Sequence, residues 1–410
     1  MRDLLPRDEY LKELINHKDV DVIKIVTGIR RCGKSSLLDL YHQYLLKQGV
    51  PSENIIHMNL ESLKFIDITD FKKLYSYVTS QIPSHGRAYL IFDEIQVVDK
   101  WEKAIESFRI DFDVDIYITG SNAYLLSSDL VTYLSGRYVQ IQMLPLLFKE
   151  FINFNTFDER LSYDDIFKLY IKIGGMPVLR QYHFDELSIT KNLSDIFNTV
   201  IVRDAINRNE GCEIQIINKI MRYLCSTIGS TTSPNNIANV LKGEGEISGT
   251  KPKGIASKTV ERYIQMLRNA YIIYSIERYD IKGKQLLKTL GKNYVTDIGF
   301  RNILLGYKDA DRGHIIENIV FLELIRRGYK VYIGKVYDTE IDFIAEKTTE
   351  RLYIQVTESL VNEGTKAREL RSLKMIPDNH EKMILSMDHD FNNSYDGIKS
   401  LNLIDWLLGK

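Results

Sequence analysis

Residues 28–36 read GIRRCGKSS and fit the pattern G-x-x-x-x-G-K-[ST], in which the defined positions are Gly28, Gly33, Lys34 and Ser35. Glycines at this spacing let the backbone curl until its N–H groups point at a phosphate. The lysine supplies a positive charge between the β- and γ-phosphates, and the hydroxyl can complete the shell of Mg²⁺. The stretch therefore predicts a loop that binds ATP with Mg²⁺. Its predicted nucleotide-binding residues are Gly28, Ile29, Arg30, Arg31, Cys32, Gly33, Lys34, Ser35 and Ser36.

The residues on either side of this loop fit the same prediction. Residues 23–27 (IKIVT) form a run typical of a buried parallel strand. In residues 34–47, leucine and tyrosine side chains recur at helical spacing, so the phosphates would lie at a helix N-terminus. Cys32, inside the loop, could make nucleotide binding sensitive to thiol oxidation, or it could be a small filler.

A second stretch, AYLIFDEIQ at residues 88–96, predicts the acidic half of the site. Residues 88–92 are continuously apolar, as in a strand buried on both faces. Asp93 then lies where a Walker-B aspartate binds Mg²⁺ through its water shell. Glu94 lies where a carboxylate can polarise the attacking water, so we expect it to be catalytic.

A third predicted strand, VDIYIT at residues 114–119, ends in the turn GSN. Ligands of parallel α/β sheets lie at the carboxyl ends of the strands. We therefore expect Ser121 or Asn122 to reach the γ-phosphate or the attacking water. Farther along the chain, YLSGRYVQIQML presents Arg137 just before another strand. That arginine could neutralise γ-phosphate charge, in trans from a neighbouring subunit or in cis, or it could form an ordinary surface salt bridge.

The composition of the 410-residue chain is that of an ordinary globular protein of two to four domains. The net charge is −1, so any nucleic-acid surface must be a local patch. The three cysteines lack CxxC spacing and indicate neither a disulfide framework nor a zinc site. The charged N-terminus is unlike a signal peptide, and no apolar stretch approaches the length of a membrane span. We expect a cytoplasmic protein that does not enter the membrane.

Several stretches resemble a group of prokaryotic ATPases of the AAA superfamily that carry a C-terminal DUF4143-type domain. They are RDEYLKELINHKDVDVIKIVTGIRRCGKSSLL, YLIFDEIQ, TGSN, LSGRYVQIQMLPLLFKEF and GGMPVLR. The group is similar to archaeal and STAND-like P-loop ATPases. The resemblance implies an α/β fold with an ASCE-type P-loop core and parallel sheet, a helical lid, a winged-helix module and a small restriction-endonuclease-like domain.

The helical periodicity and loops of the chain agree with four parts. We expect the ATPase core at residues 1–156, the lid at 157–210, the winged helix at 211–305 and the nuclease-like domain at 306–410. In STAND-like ATPases a glycine-x-proline of the lid lies near the adenine, and the resemblance implies that role for Pro177. From the residues alone, the same stretch is a Gly-Gly loop followed by a proline that starts a helix.

The winged-helix prediction rests on residues 214–295. Helical stretches lead to ASKTVERYIQMLRNAYII, which has an N-cap at Ser257 and one apolar face, and a hairpin over Lys282-Gly283 would be the wing. Basic residues concentrate here on an otherwise neutral chain, which favours phosphate contacts, although winged helices also dock proteins. The candidate DNA-binding residues are Lys258, Arg262, Arg268, Lys282 and Lys284.

The last hundred residues depart from the pattern of an active nuclease. Restriction-endonuclease-like enzymes place a glutamate on a helix, an aspartate on a strand and Glu-x-Lys on the next strand. Glu317 and Asp342 match this layout, but Gln355 and Thr357 occupy the Glu-x-Lys positions. One anionic ligand and the lysine are thus missing, which predicts a domain that does not cut DNA unless Lys366 substitutes.

Three functions remain open from the sequence. The first is an ATPase that forms a homo-oligomer and uses ATP and Mg²⁺ to change conformation on double-stranded or branched DNA. The second is a STAND-like switch that acts through protein partners. The third is an ATP-dependent nuclease. A kinase of small molecules is not indicated, because the sequence shows no acceptor site.

Overall fold

The computed structural model describes residues 4–121, 123, 136–206, 212–247, 255–389 and 394–410. The chain divides into two compact units. Unit 1 comprises Met1–Met143 with Asn269–Tyr271, and unit 2 comprises Leu144–Arg268 with Ile272–Lys410. No helix of the described residues is long and apolar enough to cross a membrane.

Unit 1 is built on a five-stranded sheet with strand order β2-β3-β4-β1-β5, in which all pairs are parallel. Its strands are β1 (Ile23–Thr27), β2 (Ile55–Asn59), β3 (Ala88–Asp93), β4 (Val114–Gly120) and β5 (Tyr138–Gln142). Its helices are α1 (Asp8–Asn16), α2 (Lys34–Lys47), α3 (Phe71–Thr79) and α4 (Trp101–Asp111). The strands predicted at residues 23–27, 88–92 and 114–119 are confirmed.

The strand order decides which loops meet. β4 lies between β1 and β3, so the segments that follow these three strands leave the same edge of the sheet side by side. β1 and β3 are buried along their whole length, as expected for parallel strands covered on both faces. Apolar side chains of α3 and α4 pack against β3, where the Phe92 ring stacks on Phe108 and the Phe108 ring stacks on Tyr75.

The loop after β1 has a shape that requires glycine at two positions. Gly28 has φ +143°, and a Cβ atom there would lie 2.1 Å from the backbone oxygen of Met143. Gly33 has φ +108° and is the N-cap residue of α2. A side chain at either position would strain the loop, because L-residues rarely adopt such φ values. The loop therefore runs directly from a buried strand into a helix N-terminus, as predicted.

Unit 2 contains an eight-stranded mixed sheet with strand order β12-β13-β11-β10-β9-β8-β6-β7. Its strands are β6 (Ile273–Asp280), β7 (Gln285–Val295), β8 (Lys330–Val336), β9 (Thr339–Glu346), β10 (Arg351–Val356), β11 (Glu381–Ser386), β12 (Ser394–Tyr395) and β13 (Ile398–Asn402). The helices that precede it along the chain are α5 (Phe148–Phe154), α6 (Tyr163–Ile173), α7 (Glu186–Val200), α8 (Ile214–Ser226), α9 (Pro234–Ile247) and α10 (Ser257–Asn269). Those that follow β7 are α11 (Ile298–Leu305), α12 (Arg312–Arg326), α13 (Glu363–Lys374) and α14 (Leu403–Leu408).

The hairpin predicted as a wing is present, but it is part of this large sheet. β6 and β7 pair antiparallel, and β6 also pairs parallel with β8 through Arg278, Tyr279 and Asp280. The sheet thus crosses the predicted boundary at residue 305, and the winged-helix prediction stays a prediction. Local periodicity could predict the hairpin, but it could not predict pairing between residues about fifty positions apart.

The Gly-Gly loop of residues 174–175 is explained by packing within unit 2. The Gly175 N–H donates to Asp297 Oδ2 at 2.7 Å, and the Gly299 N–H donates to Asp297 Oδ1 at 2.7 Å. A Cβ at Gly175 would lie 1.9 Å from the backbone oxygen of Leu146. Burial raises the pKa of Asp297 to about 6, although these amide hydrogen bonds oppose the shift. Gly175 is therefore required by the fold itself.

Candidate functional site

The two predicted acids after β3 are joined by one hydroxyl of β4. Thr119 Oγ1 donates to Asp93 Oδ1 at 2.5 Å and accepts the backbone N–H of Glu94 at 3.0 Å. Asn59, at the end of β2, donates its side-chain amide to Asp93 Oδ2 at 3.0 Å. Asp93 is 1% exposed, so its carboxylate is held in one orientation by neighbours on both sides. Since each carboxylate oxygen has a further lone pair, it can still bind a cation or its water.

Glu94 has the left-handed backbone conformation, with φ 56° and ψ 47°. A non-glycine residue in this region costs free energy and is concentrated at functional sites. The side chain is buried, and its Oε2 accepts hydrogen bonds from Gln96 Nε2 and, at 3.3 Å, from Ser121 Oγ. Its Oε1 lies 4.0 Å from Lys34 Nζ. The turn after β3 thus aims this carboxylate at the phosphate-binding loop.

Lys34 lies in the loop with its ammonium group held by backbone oxygens. Its Nζ donates to the backbone oxygens of Gly28 at 3.0 Å and Ile29 at 3.2 Å, and the side chain is almost fully buried. Backbone carbonyls are neutral acceptors, so a phosphate would be a stronger partner for this charge. Ser35 is exposed at the first turn of α2, where helix N–H groups face outward.

Further contacts fix the loop from outside the motif. Arg7, which precedes α1 and is almost fully buried, donates to the backbone oxygen of Cys32 at 3.1 Å. Arg30 binds both carboxylate oxygens of Glu61, at 2.8 and 3.0 Å. Cys32 is fully buried, and burial raises the pKa of its thiol above the usual value. A buried and protonated thiol reacts slowly with oxidants, which favours the filler role over an oxidation-sensitive one.

The structure therefore brings most of the predicted nucleotide site together within unit 1. The glycine-rich loop, Asp93, Glu94 and Ser121 lie at the carboxyl ends of β1, β3 and β4. A serine hydroxyl and an aspartate supply oxygen ligands that fit Mg²⁺, and the lysine supplies positive charge that fits a polyphosphate. Asn122 lies outside the described residues, so its expected contact with the γ-phosphate stays a prediction.

Arg137 lies far from the phosphate-binding loop of its own chain. It precedes β5, and its backbone oxygen accepts the N–H of Ile23 at the start of β1. It thus lies at the amino edge of the sheet, roughly 16 Å of strand away from the loop at ~3.3 Å per residue. Its side chain is 53% exposed and lies 3.7 Å from Glu106. The predicted role in cis is therefore wrong, and the role in trans stays a prediction.

Pro177 belongs to unit 2, where it begins a 3₁₀-helix, Pro177–Tyr182. This matches the prediction from the residues alone, in which the proline starts a helical turn. Its implied position beside the adenine stays a prediction.

The candidate DNA-binding residues are on the surface of unit 2. Lys258, Arg262 and Arg268 are exposed along one face of α10, whose opposite face buries Val260 and Leu267. Lys282 and Lys284 are exposed at the turn between β6 and β7. Lys282 Nζ also lies 4.7 Å from the centre of the Tyr337 ring. The helix and the turn both present positive charge to solvent.

The predicted nuclease residues line a cavity of about 820 Å³ in unit 2. Glu317 on α12, Asp342 on β9 and Gln355 on β10 come together there, as the helix–strand–strand order predicts. Burial raises the pKa of the Asp342 carboxyl well above its usual value, and the nearby Glu317 adds to this shift.

A lysine that the sequence pattern did not reveal occupies the centre of this cluster. Lys292 Nζ lies 3.0 Å from Glu317, 2.8 Å from Glu340 and 3.8 Å from Asp342. Burial alone would lower the pKa of Lys292, but these carboxylates raise it above its usual value. Tyr294, two residues farther along β7, donates to Glu317 Oε1 at 2.6 Å, which is the oxygen that also faces Lys292. The cluster therefore holds a fixed internal cation.

Both ends of the Gln355 side-chain amide are hydrogen-bonded to protein groups. Its Oε1 accepts the backbone N–H of Asp342 at 3.1 Å, and its Nε2 donates to Glu369 Oε2 at 2.7 Å. Asp342 Oδ2 in turn accepts the backbone N–H of Val356 at 2.8 Å. Lys366, proposed as a substitute for the missing lysine, instead lies 3.3 Å from Glu363 and does not line this cavity. Among the described residues, no group of three or more acidic, histidine or cysteine side chains has the geometry of a metal site.

Several residues of both sites were missed by reasoning from the sequence. Thr119, Gln96 and Asn59 are polar residues at or just after the ends of strands, which is the signal that could have found them. Lys292 stands two residues before Tyr294 in a strand, so both side chains face the same side of the sheet. A lysine and a tyrosine paired in this way on a buried face indicate a buried carboxylate.

The comparisons with known protein families agree with the fold of unit 1. Residues 21–152 match a family model described as an AAA domain. Residues 164–311 match a domain of unknown function, DUF8612. The predicted DUF4143-type domain is thus not confirmed, and the DUF8612 match ends before β8. The AAA-superfamily resemblance is confirmed for the N-terminal part.

Among solved structures, the Walker-type ATPase PABY2304 of Pyrococcus abyssi matches with a TM-score of 0.50 and 16% sequence identity. The match covers 74% of this chain and 96% of that chain. At this identity the likeness concerns the fold alone.

Two relatives match along most of their length. An uncharacterized protein of Haemophilus influenzae is 38% identical over 407 residues, which is 99% of each chain. The uncharacterized protein MJ1544 of Methanocaldococcus jannaschii is 30% identical over 380 residues, which is 88% of this chain and 81% of that protein. The chain therefore belongs to one family with these two proteins, and its N-terminal part carries an AAA domain.

Proposed function

We propose that this protein binds ATP with Mg²⁺ at residues 28–36 and hydrolyses it, and that the nucleotide state drives a conformational change on double-stranded or branched DNA. One observation carries the hydrolysis proposal. Thr119 binds the Asp93 carboxylate and the backbone N–H of Glu94, and the buried Glu94 carboxylate lies 4.0 Å from Lys34. The Walker-type ATPase that shares the fold supports the same activity.

Each residue of the site has a separate task in this proposal. Lys34 and the N–H groups of the loop bind the β- and γ-phosphates. Ser35 and Asp93 would hold Mg²⁺, which supplies positive charge against the phosphate oxygens. Glu94 accepts a proton from the attacking water, and Ser121 helps to orient that carboxylate. The burial of both acids strengthens these electrostatic contacts, because the local dielectric constant is low.

Substitutions of the loop lysine and of the second acid should separate binding from hydrolysis. Lys34→Ala should abolish binding of a fluorescent ATP analogue, because the charge facing the phosphates is lost. Glu94→Gln should still bind it but lose turnover by about 10²–10⁴-fold, because glutamine cannot accept the proton. Lys47→Ala, on the exposed end of the same helix, is the matched control and should leave both properties intact. Full turnover in Glu94→Gln would show that another group is the base.

The DNA part of the proposal rests on the exposed basic residues of α10 and the β6–β7 turn. Charge reversal in Arg262→Glu/Lys282→Glu should weaken binding of labelled duplex and branched DNA. It should also flatten the log–log salt dependence, since each lost phosphate contact lowers the slope by about 0.9. The control is Arg160→Glu/Lys168→Glu, which reverses two exposed charges elsewhere in unit 2. Equal weakening of DNA binding by both double variants, or no weakening by either, would contradict DNA binding at this surface. It would favour a protein partner there.

We propose further that the protein acts as a homo-oligomer in which Arg137 reaches the γ-phosphate bound to a neighbouring subunit. Specific activity should then rise with protein concentration, and Arg137→Ala should lower turnover much more than ATP affinity. Glu106→Gln removes the same surface ion pair but keeps the arginine, so it should retain turnover. A rate that is independent of concentration, together with an active Arg137→Ala variant, would leave Arg137 as a surface ion pair only.

We infer that the cavity around Asp342 does not cut DNA. Lys292 already places a positive charge beside three of its carboxylates, and both ends of the Gln355 amide are bound to protein groups. A divalent cation would therefore compete with a positive charge fixed within 4 Å of three carboxylates. Hard cations bind through several anionic oxygens, and here those oxygens have a partner.

The expected result is that purified protein with Mg²⁺ or Mn²⁺ leaves linear, branched and single-stranded DNA intact over hours of incubation. Asp342→Ala and Asp338→Ala serve as a matched pair, because Asp338 is exposed in the turn before β9. Cleavage that persists in Asp338→Ala and disappears in Asp342→Ala would show an active nuclease.

A further inference from the structure

Gln96, the last residue of the AYLIFDEIQ stretch, has a side chain that the proposed mechanism does not use. It follows β3 in a 3₁₀-helical turn, Ile95–Val97, whose N-cap residue is Glu94. Glu94 has a left-handed backbone conformation, and the side chains of residues 94 and 96 meet in this turn. The inference drawn from this contact rests on the ATP hydrolysis proposed above.

The chemistry of the two groups fixes the orientation of the amide. An ionised carboxylate only accepts hydrogen bonds, so the group that Gln96 presents to Glu94 Oε2 must be its Nε2 donor. The same Oε2 atom also accepts from Ser121 Oγ at 3.3 Å. Oε1 of the glutamate is therefore the atom left to accept a proton, and it is the one that faces Lys34.

The other end of the Gln96 amide lacks a partner. Its Oε1 is buried and accepts no hydrogen bond from the described residues. A buried polar atom left in this state costs about 1–3 kcal/mol, so a native site that contains one calls for an explanation. The planar amide carries this oxygen beside the carboxylate that would bind the attacking water.

We propose that Gln96 positions the attacking water together with Glu94. Water has two O–H groups, of which one would donate to Glu94 Oε1 and the other to Gln96 Oε1. This arrangement leaves a lone pair of the water oxygen free to face the γ-phosphorus. As the bond from this oxygen to the γ-phosphorus forms, the bond from phosphorus to the β–γ bridging oxygen breaks. ADP leaves with that electron pair, and one water proton passes to Glu94.

The first test compares Gln96→Met with Gln81→Met, in which an exposed glutamine of unit 1 receives the same change. Gln96→Met keeps the length of the side chain but removes both ends of the amide. Its turnover should fall by about 10²-fold, as for other single groups that position reacting atoms, while affinity for the ATP analogue and Tm stay unchanged. Gln81→Met should behave as wild type.

The second test uses a double variant. In a Glu94→Gln background, Gln96→Met should cause little further loss, because both groups act on the same water. A merely structural glutamine would cause the same fold loss of turnover in both backgrounds and would lower Tm.

The outcomes separate this inference from the proposed function. A wild-type protein that binds ATP without turnover would overturn the proposed hydrolysis and this inference with it. Wild-type turnover that Gln96→Met retains would overturn the inference alone. So would a loss in Gln96→Met that appears in ATP affinity and Tm instead of in turnover.

Discussion

The hydroxyl of Thr119 is the interaction on which the proposed nucleotide site depends. It donates to Asp93 and accepts from the backbone of Glu94, so a single oxygen fixes the spacing of both acids. Valine has the same shape but could do neither. This contact exists because β4 pairs with β3, and β4 lies on its other side next to β1, which leads into the loop of Lys34. The order of the strands, more than the glycine-rich loop, therefore brings the acids into place opposite Lys34.

Two buried lysines show how similar groups can be suited to different tasks. Lys34 is held by neutral backbone oxygens and lies 4.0 Å from one carboxylate, so its charge is available to an anionic ligand. Lys292 lies within 4 Å of three carboxylates, and removal of any one partner would leave a buried charge less compensated. Lys34 can therefore exchange its backbone partners for a ligand, whereas Lys292 is held in a structural network of carboxylates. The number of carboxylates around the ammonium group thus decides whether the lysine is available to a ligand or has a structural role.

Features that depend on neighbouring residues were predictable from the sequence, whereas features that depend on contacts between distant segments were not. The phosphate loop and the strand that ends in Asp93 depend on adjacent residues, and both were predictable. The orientation of Gln96 depends on the left-handed backbone conformation of Glu94, which residue types do not reveal. Lys292 reaches its partners only because β6 pairs with β8, a contact between distant segments. The position of Arg137 likewise required the parallel pairing of β5 with β1.

The segment at the end of α10 offers a covalent route for the proposed coupling. Residues Asn269–Tyr271 belong to unit 1, although the rest of α10 before them and the strand after them belong to unit 2. Tyr271 is buried in unit 1 with its hydroxyl near Thr27, and burial raises the pKa of that hydroxyl. Thr27 ends β1 directly before the phosphate loop. A shift of this loop on exchange of nucleotide would therefore act first on Tyr271, which belongs to the same unit.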